Sequence, residues 1–250
     1  MILFEYPFNE RVRAYLRLEY LFDRLNFFAR EGDARQHQIA VATLFDILEA
    51  GERTDMKSAV LQDLERQRAT LIALRDHPGV AQDALEIMLK DMERVVVALQ
   101  SQGKTGQSLR ENEWLVSLRG RLAVPGGATQ VDMPSYHAWQ HKPESVRCAD
   151  LQAWIAPLMP LAEGLAMALR LLRESGRRGD IVAEEGAYQQ MLAGKTFQLL
   201  RVWVDPEHGV FPEISANKYM VWIRFSIQDG GVKPQQVGRA VPFQMSLCAA

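Results

Sequence analysis

Cysteine is scarce in this 250-residue chain, which contains Cys148 and Cys248 only. Two cysteines so far apart in sequence make neither a disulfide framework nor a zinc cluster, so we expect a reduced, cytoplasmic protein. Charges at Glu5, Glu10 and Arg13 interrupt the beginning of the chain. We therefore expect no secretory signal, which needs an uninterrupted apolar stretch.

The chain also lacks an excess of charge of either sign. Its 29 Lys and Arg residues are balanced by 31 Asp and Glu residues, for a net charge of −2. A balanced charge gives no general attraction to nucleic acid. No uninterrupted apolar run approaches the roughly 18 residues of a membrane span. We therefore expect neither nucleic acid nor a membrane as partner.

Catalytic motifs are missing as well. The stretch "GKT" (103–105) resembles the end of a phosphate-binding loop, but Ala98 occupies the position of the first glycine, and a helical pattern precedes it. His137 and His141 have the spacing of zinc ligands on a helix, but no third ligand or catalytic glutamate accompanies them. We expect no metal, cofactor, small-molecule substrate or enzymatic activity. An enzyme with a dispersed active site near His137 and His141 is the alternative.

The spacing of apolar residues divides the chain into a helical part and a strand part. Helical periodicity predicts helices at 9–29, 35–50, 55–75, 81–99 and 108–121, and then a long apolar helix ending near Gly176. Ser108 and Glu111 suggest a capping box for the helix at 108–121. After Gly176 the period falls to two, which predicts a strand within 217–228 with neighbours at 196–204 and 236–247.

These elements predict an α+β fold, with an N-terminal helical domain followed by a C-terminal antiparallel β-rich domain. Residues 1–7 (MILFEYP) have the composition of a short strand that ends at proline, and this strand can join the C-terminal sheet. The predicted domains are therefore 1–7 as a strand, 8–176 as a mainly helical domain and 181–250 as a β-rich domain.

Basic residues gather on one face of the first predicted helix. On a helical wheel Arg13, Arg17, Tyr20 and Arg24 fall within a sector of roughly 60°, opposite the apolar stripe. A solvated basic face is one interpretation, and a recognition surface for carboxylates or phosphates is the other. The sequence alone leaves both open.

The outer face of the strand predicted within 217–228 can also be interpreted in two ways. Val221, Ile223 and Phe225 alternate with a second face that bears Lys218, Met220, Trp222 and Arg224. That face is either an outer surface covered by the rest of the protein or a groove with an apolar floor and a cationic rim. Such a groove suits a short peptide that carries carboxylates and aliphatic side chains.

Longer stretches of the chain resemble a known family. They are "LFEYPFNERVRAYLRLEYLF" (3–22), "LQDLERQR" (61–68), "LAVPGGATQVDMPSYHAWQH" (122–141), "WIAPLMPLAEGLAMALRLLRESG" (154–176) and "NKYMVWIRF" (217–225). Together, and in this order, they are similar to the ZapD family of bacterial cell-division proteins. The first and third stretches are the most specific.

The resemblance implies a function. Members of the family are cytoplasmic homodimers at the mid-cell division ring. They bind the C-terminal tail of the tubulin-like protein FtsZ, and they cross-link and bundle its protofilaments. It also implies a helical domain followed by a β-rich one, as the periodicity predicts independently.

The resemblance further implies which residues contact the tail. Arg13, Arg17, His137 and Arg224 match basic positions of the family, and Trp222 lies beside Arg224. Met220 and Glu113 stand where relatives can carry arginine, so Lys218, Arg53 or Lys57 would complete the site. We expect Arg13 and Arg17 to be contacts, and Arg24 to serve solubility.

Overall fold

Helices come first along the chain and strands last, apart from one strand at the N-terminus. A computed structural model describes residues 1–52, 55–231 and 233–249. The chain folds into two units, one made of Met1–Arg13 with Leu169–Ala250 and the other of Ala14–Ala168. The α+β prediction is confirmed, including the strand at the N-terminus. We call the two parts the β unit and the helical unit.

The helices follow the predicted ranges closely. They are α1 (Glu10–Arg30), α2 (Ala34–Glu52), α3 (Met56–Ile72), α4 (Gln82–Ser101), α5 (Gln107–Arg110), α6 (Glu113–Leu122), α7 (Pro134–Gln140), α8 (Glu144–Ile155) and α9 (Met159–Glu174). Asn9 caps α1, because its side chain accepts a hydrogen bond from the Val12 amide at 2.9 Å.

The predicted helix at 108–121 is wrong in one respect, since it is two helices rather than one. Helix α5 ends before Asn112, whose side chain accepts from the Leu115 amide at 3.0 Å and so caps α6. The predicted capping box at Ser108 and Glu111 is also wrong, because Gly106 precedes the first residue of α5. A local asparagine cap competes with helix continuation and here prevails.

The helical unit packs around leucine-rich stripes. On α1, Tyr15, Leu18, Phe22 and Leu25 are buried. Gly164 lets α9 approach α3 and α4 closely, because a Cβ atom there would lie 3.0 Å from Val60 and 3.2 Å from Leu99. Packing of this density makes the helix positions sensitive to the loss of a methyl group.

A buried polar network joins two loops of the helical unit. Arg147 is 7% exposed, and its Nε donates to His37 Nδ1 at 3.1 Å. Its terminal nitrogens donate to the carbonyls of Gly32 at 2.5 Å and of Lys142. The proton of the His37 ring is therefore on Nε2, which donates to the Glu31 carbonyl. One guanidinium thus satisfies carbonyls that precede α2 and α8.

The strands form two antiparallel sheets in the β unit. They are β1 (Ile2–Pro7), β2 (Gly179–Ala183), β3 (Ala187–Met191), β4 (Leu199–Val204), β5 (Phe211–Ala216), β6 (Met220–Ile227), β7 (Gln235–Gln236) and β8 (Val241–Cys248). The first sheet has the order β1-β4-β8-β2 and the second has the order β3-β6-β5, with β7 also paired to β6. The predicted pairing of the N-terminal strand with the C-terminal sheet is confirmed.

The two sheets share one core. The inward residues of β6 are Val221, Ile223 and Phe225, each 0% exposed, as the alternation predicts. The ring of Phe225 lies 5.1 Å from that of Phe243 on β8, which joins the two sheets. Strands β2, β3 and β5 escaped prediction because their exposed residues break the apolar alternation.

The outer side of the first sheet is partly covered by the end of α9. Arg173 in its last turn makes two hydrogen bonds to Glu5 of β1, at 2.9 and 2.6 Å, and Arg201 of β4 donates to the same carboxylate at 3.0 Å. Gly176 then passes so close that a Cβ atom would lie 2.2 Å from Ser246 Oγ. Only glycine fits at that approach.

One helical segment is apolar over a long range, although charged residues such as Arg147, Asp150 and Glu163 interrupt it. The segment Glu144–Glu174, which comprises α8 and α9, is long and apolar enough to cross a membrane by length and composition alone. Half of its most apolar window is buried inside the protein. That burial is ordinary for the core helix of a folded domain.

We predict that Arg147→Met destabilises the helical unit by about 2–4 kcal/mol, because it leaves buried carbonyls and His37 without their donor. Urea unfolding followed by tryptophan fluorescence measures this, since the Trp139 ring lies 6.3 Å from that of His37. Arg68→Met, at an exposed position of α3, is the control and should change stability by less than about 0.5 kcal/mol. Equal stability of the two variants would contradict the structural role.

Candidate functional site

A cationic groove of the β unit lies where the chain passes from β1 into α1. We call it the Arg13 groove; its volume is about 530 Å³. Three segments line it: the β1–α1 junction (6–13), the turn after β3 (192–197) and the β5–β6 connection (216–219). Segments far apart in sequence therefore meet at one surface.

The β1–α1 junction fixes Arg13. The Phe8 amide donates to the Gln198 carbonyl at 2.9 Å, which holds the junction against the approach to β4. The Asn9 cap then starts α1, so Arg13 lies in its first turns. Arg13 Nε donates to Glu10 at 3.1 Å, and 36% of the Arg13 side chain is exposed against 85% for Glu10. The ion pair is thus exposed and leaves the guanidinium accessible.

The turn after β3 supplies a second cation, Lys195. The Lys195 amide donates to the Leu192 carbonyl at 3.0 Å, and Ala193 and Gly194 between them have φ values of 49° and 72°. Two consecutive positive φ values are those of a type I′ turn. Alanine is strained there, because its Cβ crowds the left-handed backbone.

The β5–β6 connection supplies the third cation, Lys218. The Asn217 side chain accepts from the amides of Tyr219 and Met220 at 2.8 and 2.9 Å, which closes the connection tightly. Lys218 Nζ lies 4.7 Å from the centroid of the Tyr219 ring. This cation–π contact holds the ammonium at the rim of the groove.

Aromatic rings form much of the floor. Tyr6 and Phe8 meet edge to face with their centroids 5.9 Å apart, and Phe197 and Tyr219 also line the groove. Among the described lining residues, three cations face one carboxylate, that of Glu10. The arrangement therefore offers positive charge above an apolar surface.

A second groove runs along the outer face of β6. We call it the Trp222 groove; its volume is about 640 Å³ and Trp222 and Arg224 line it. Register places Gln189 and Ser215 on either side of Trp222, and Glu213 beside Arg224. Glu213 accepts from Ser226 Oγ at 2.6 Å. Glu213 thus offsets part of the positive charge, so this groove is less cationic than the first.

Tyr188 lines the same groove from β3. Burial raises the pKa of its hydroxyl, which therefore stays protonated at neutral pH. The hydroxyl donates to Gln190 Oε1 at 3.1 Å. The Trp222 groove thus combines one cation with neutral polar groups around an indole ring.

The structure divides the predicted site residues between several places. Arg13 and Lys218 share the Arg13 groove, and Trp222 and Arg224 share the Trp222 groove. Arg17 is exposed one turn after Arg13 on α1 and belongs to the helical unit, as do Lys57 and His137. Arg53 lies outside the described residues.

Lys57 has a local structural role. Its ammonium donates to the carbonyls of Gln102 at 2.5 Å and of Gly103 at 3.3 Å, where α4 ends. A cation at the C-terminal end of a helix is stabilising, because the last carbonyls carry partial negative charge. Met220 and Glu113 are the two positions at which the family resemblance allows an arginine. Met220 is the first residue of β6 and is half-buried, and Glu113 is the first residue of α6.

Arg24 corrects an expectation, since it does not merely keep the helix soluble. Its Nε donates to Thr43 Oγ1 at 2.8 Å, and its terminal nitrogen pairs with Asp46 at 2.5 Å. Both partners are on α2, so Arg24 ties α1 to α2. A helical wheel cannot reveal this, because the neighbouring helix is absent from it.

His137 and His141 lie beside an aromatic cluster rather than a metal site. Their rings are 4.4 Å apart, and His141 Nδ1 lies 2.8 Å from the His137 carbonyl. Trp139, which lies between the two histidines in sequence, packs with Trp114 and Trp154 at centroid distances of 5.6 to 6.3 Å. Within the described residues, no group of three His, Cys, Asp or Glu side chains is placed to hold a metal ion.

Lys195, Phe8 and Phe197 are lining residues that sequence reasoning missed. Each lies at or directly beside an end of a predicted strand, where the alternation of apolar residues does not predict which way a side chain points. The dipeptide Gly194-Lys195 was the available signal, since a glycine turn often presents its neighbour to solvent.

The fold and the two grooves define a mixed α+β protein with an accessible, partly cationic surface floored by aromatic rings. Comparison with known proteins identifies its family. The family model ZapD, described as a cell division protein, matches residues 16–224. The chain therefore belongs to the ZapD family of cell-division proteins, which gives it a role in division.

Relatives agree over the whole length. The chain is 82% identical to the cell division protein ZapD of Bordetella pertussis over 250 residues, which is 100% of this chain and 99% of that protein. It is 80% identical to the protein of that name in Bordetella petrii and 52% identical to that in Janthinobacterium sp., with complete coverage of both chains in each case. The confirmed resemblance rests on the full chain rather than on one domain.

We predict that Ala193→Asn stabilises the protein by about 0.5–1 kcal/mol, because Asn-Gly is the preferred type I′ pair and relieves the strain at positive φ. Thermal unfolding measures the change. Ala240→Asn, at an exposed position outside the residues with positive φ, is the matched control and should not stabilise. A lower melting temperature for Ala193→Asn would show that the turn has another shape.

Proposed function

We propose that this protein binds the C-terminal tail of FtsZ in the Arg13 groove and, as a homodimer, cross-links and bundles FtsZ protofilaments at the division ring. The observation that carries the proposal is the convergence of Arg13, Lys195 and Lys218 above an aromatic floor. Cations of this kind bind carboxylates, and the rings below them bind aliphatic side chains. The proposed role needs no catalysis, and it places the protein in the cytoplasm at mid-cell.

The Trp222 groove extends the proposed site. Lys218 and Arg224 are six positions apart along the same chain segment, which corresponds to roughly 20 Å in an extended strand. A peptide of about six extended residues therefore reaches from one groove to the other. We propose that the acidic part of the tail lies at the Arg13 groove and an apolar side chain packs on Trp222, the residue type that dominates binding hot spots.

Arg17 follows Arg13 by one helical turn, and we retain it as a further contact. Arg53, Lys57 and His137 stay predictions from the family resemblance. The two carbonyls that accept from Lys57 already use part of its capacity to donate. We therefore assign it no leading part in the peptide site.

Bundling follows from valency. One groove binds one tail, and a dimer that holds two grooves apart converts two weak contacts into a bridge between filaments. A monomer would bind a tail without joining filaments. The proposal therefore separates affinity for the tail, a property of one chain, from bundling, a property of the dimer.

We predict that Arg13→Ala and Lys218→Ala each weaken binding of a synthetic FtsZ tail peptide by roughly 1–3 kcal/mol, because each removes a charge-assisted contact. Isothermal titration calorimetry measures the affinity. Folding should stay nearly intact, since exposed ion pairs contribute only about 0–1 kcal/mol. Wild-type binding should also weaken as salt is raised, because the contacts are ionic and partly exposed.

Matched controls sharpen this experiment. Arg68→Ala and Lys90→Ala remove exposed cations of the helical unit and should bind the peptide as wild type does. Arg24→Ala should bind normally but lose about 0.5–1 kcal/mol of stability, because it breaks the tie to α2. Wild-type affinity in both groove variants would refute the Arg13 groove as the site.

We further predict that bundling depends on two intact sites in one dimer. Wild-type protein is mixed with an equal amount of the double variant Arg13→Ala/Lys218→Ala and left to exchange subunits. In this mixture half of the chains are wild type, but only roughly a quarter of the dimers carry two intact sites. Light scattering by FtsZ should therefore fall to less than half of its value with wild-type protein alone at the same total concentration. Scattering that follows the amount of wild-type chain in direct proportion would refute bridging by dimers.

A further inference from the structure

The helical unit contains a cavity that the proposed function does not use. We call it the Lys104 pocket; its volume is about 470 Å³. Its apolar floor comes from the end of α2, the start of α3 and the region where α9 begins, and it consists of Ile47, Leu48, Met56, Leu158 and Leu161. A cavity of this size and lining is typical of small-molecule sites.

Positive charge gathers at the rim of this pocket. Lys57, Lys104 and Arg110 line it together with one carboxylate, that of Asp55. Asp55 caps α3 by accepting from Ser58, and this bond holds its pKa below the usual range, so the carboxylate is ionised. Among the lining residues that the structure describes, three positive charges thus face one negative charge.

The rim cations are positioned differently. Arg110 donates to the carbonyls of Thr105 and of Leu48, which fixes its guanidinium against the loop. Lys57 donates to two carbonyls, and an ammonium has three protons. Lys104 is exposed, and no contact described for it engages its ammonium. Lys104 is therefore the cation best placed to meet a ligand.

The loop beside Lys104 packs closely on the apolar floor. Gly106 has a φ of 68° and is buried, and a Cβ atom there would lie 2.3 Å from a methyl carbon of Leu48. Thr105 Oγ1 is buried without a hydrogen-bond partner in the described part of the chain. The backbone of the loop thus packs directly on the apolar floor, and the Thr105 hydroxyl is available to hydrogen-bond to a ligand.

We propose that the Lys104 pocket binds an amphipathic anion, in which a carboxylate or phosphate head meets Lys104 at the rim and an apolar body lies on the floor. The proposal accounts for the Gly-Lys-Thr stretch without a phosphate-binding loop, since a helix and not a strand precedes it. It is separate from the Arg13 groove and the Trp222 groove, because none of its lining residues lines either groove and all of them belong to the helical unit. Lys57 lines this pocket and is also among the residues that the family resemblance suggests for the tail.

Octanoate and octyl phosphate, each below its micelle concentration, test the proposal by calorimetry on the full chain. We expect at least one of them to bind to wild-type protein, and Lys104→Glu to weaken that binding about fivefold to tenfold, the size expected for reversing one exposed charge. Lys90→Glu, an exposed lysine of α4, is the matched control and should bind as wild type does. Unchanged melting temperatures show that both variants fold.

Two further ligands separate the parts of the site. 1-Octanol lacks the charge and inorganic phosphate lacks the apolar body, so both should bind more weakly than the better of the two amphipathic anions. Equal binding of either one, equal binding by wild type and Lys104→Glu, or no binding of either anion would overturn the proposal. The FtsZ tail peptide should bind Lys104→Glu normally; if it does not, the anion pocket is part of the peptide site and the inference of an independent site is wrong.

Discussion

The packing of β6 against β8 is the interaction on which both grooves of the β unit depend. Val221, Ile223 and Phe225 are completely buried, and the Phe225–Phe243 contact joins the second sheet to the first. Because side chains alternate along a strand, burying these residues directs Trp222 and Arg224 to the opposite face. A shift of one residue in register would turn the face that bears Trp222 and Arg224 inward. The core thus determines which side chains line the Trp222 groove.

A second constraint fixes the position of Arg13 in the Arg13 groove. Pairing of β1 with β4 places Pro7 opposite Leu199, and α1 begins three residues later at Glu10. Arg13 therefore occupies its position because β1 is in register. Glu5 reinforces that register through Arg173 and Arg201, and these side chains are only 14–21% exposed. Partly buried ion pairs of this kind cost more to break than exposed ones.

Hydrophobic periodicity predicted the fold but not which residues line the two grooves. The long helices and β6 were predictable, because one buried face imposes a clear period on each of them. Strand β2 was not, since its Gly179 and Asp180 are exposed and its pattern is that of a loop. Arg24 and Arg13 are alike on the wheel, and only the neighbouring helix α2 distinguishes a structural arginine from an accessible one. Lys195 depends on a turn whose two positive φ values no hydrophobic pattern encodes.

The β unit is built from both ends of the chain, and this has a consequence for synthesis. Ile2 pairs with Val204, and β4 in turn needs β8, which ends at Cys248. At about 5–20 residues per second, a ribosome needs roughly ten seconds or longer to make the chain between β1 and its partner strands. During that interval the apolar strand Ile2–Pro7 has no sheet to join. A nascent chain can thus fold its helices early, but the sheet that carries β1 and the start of α1 can form only after β4 and β8 have been made.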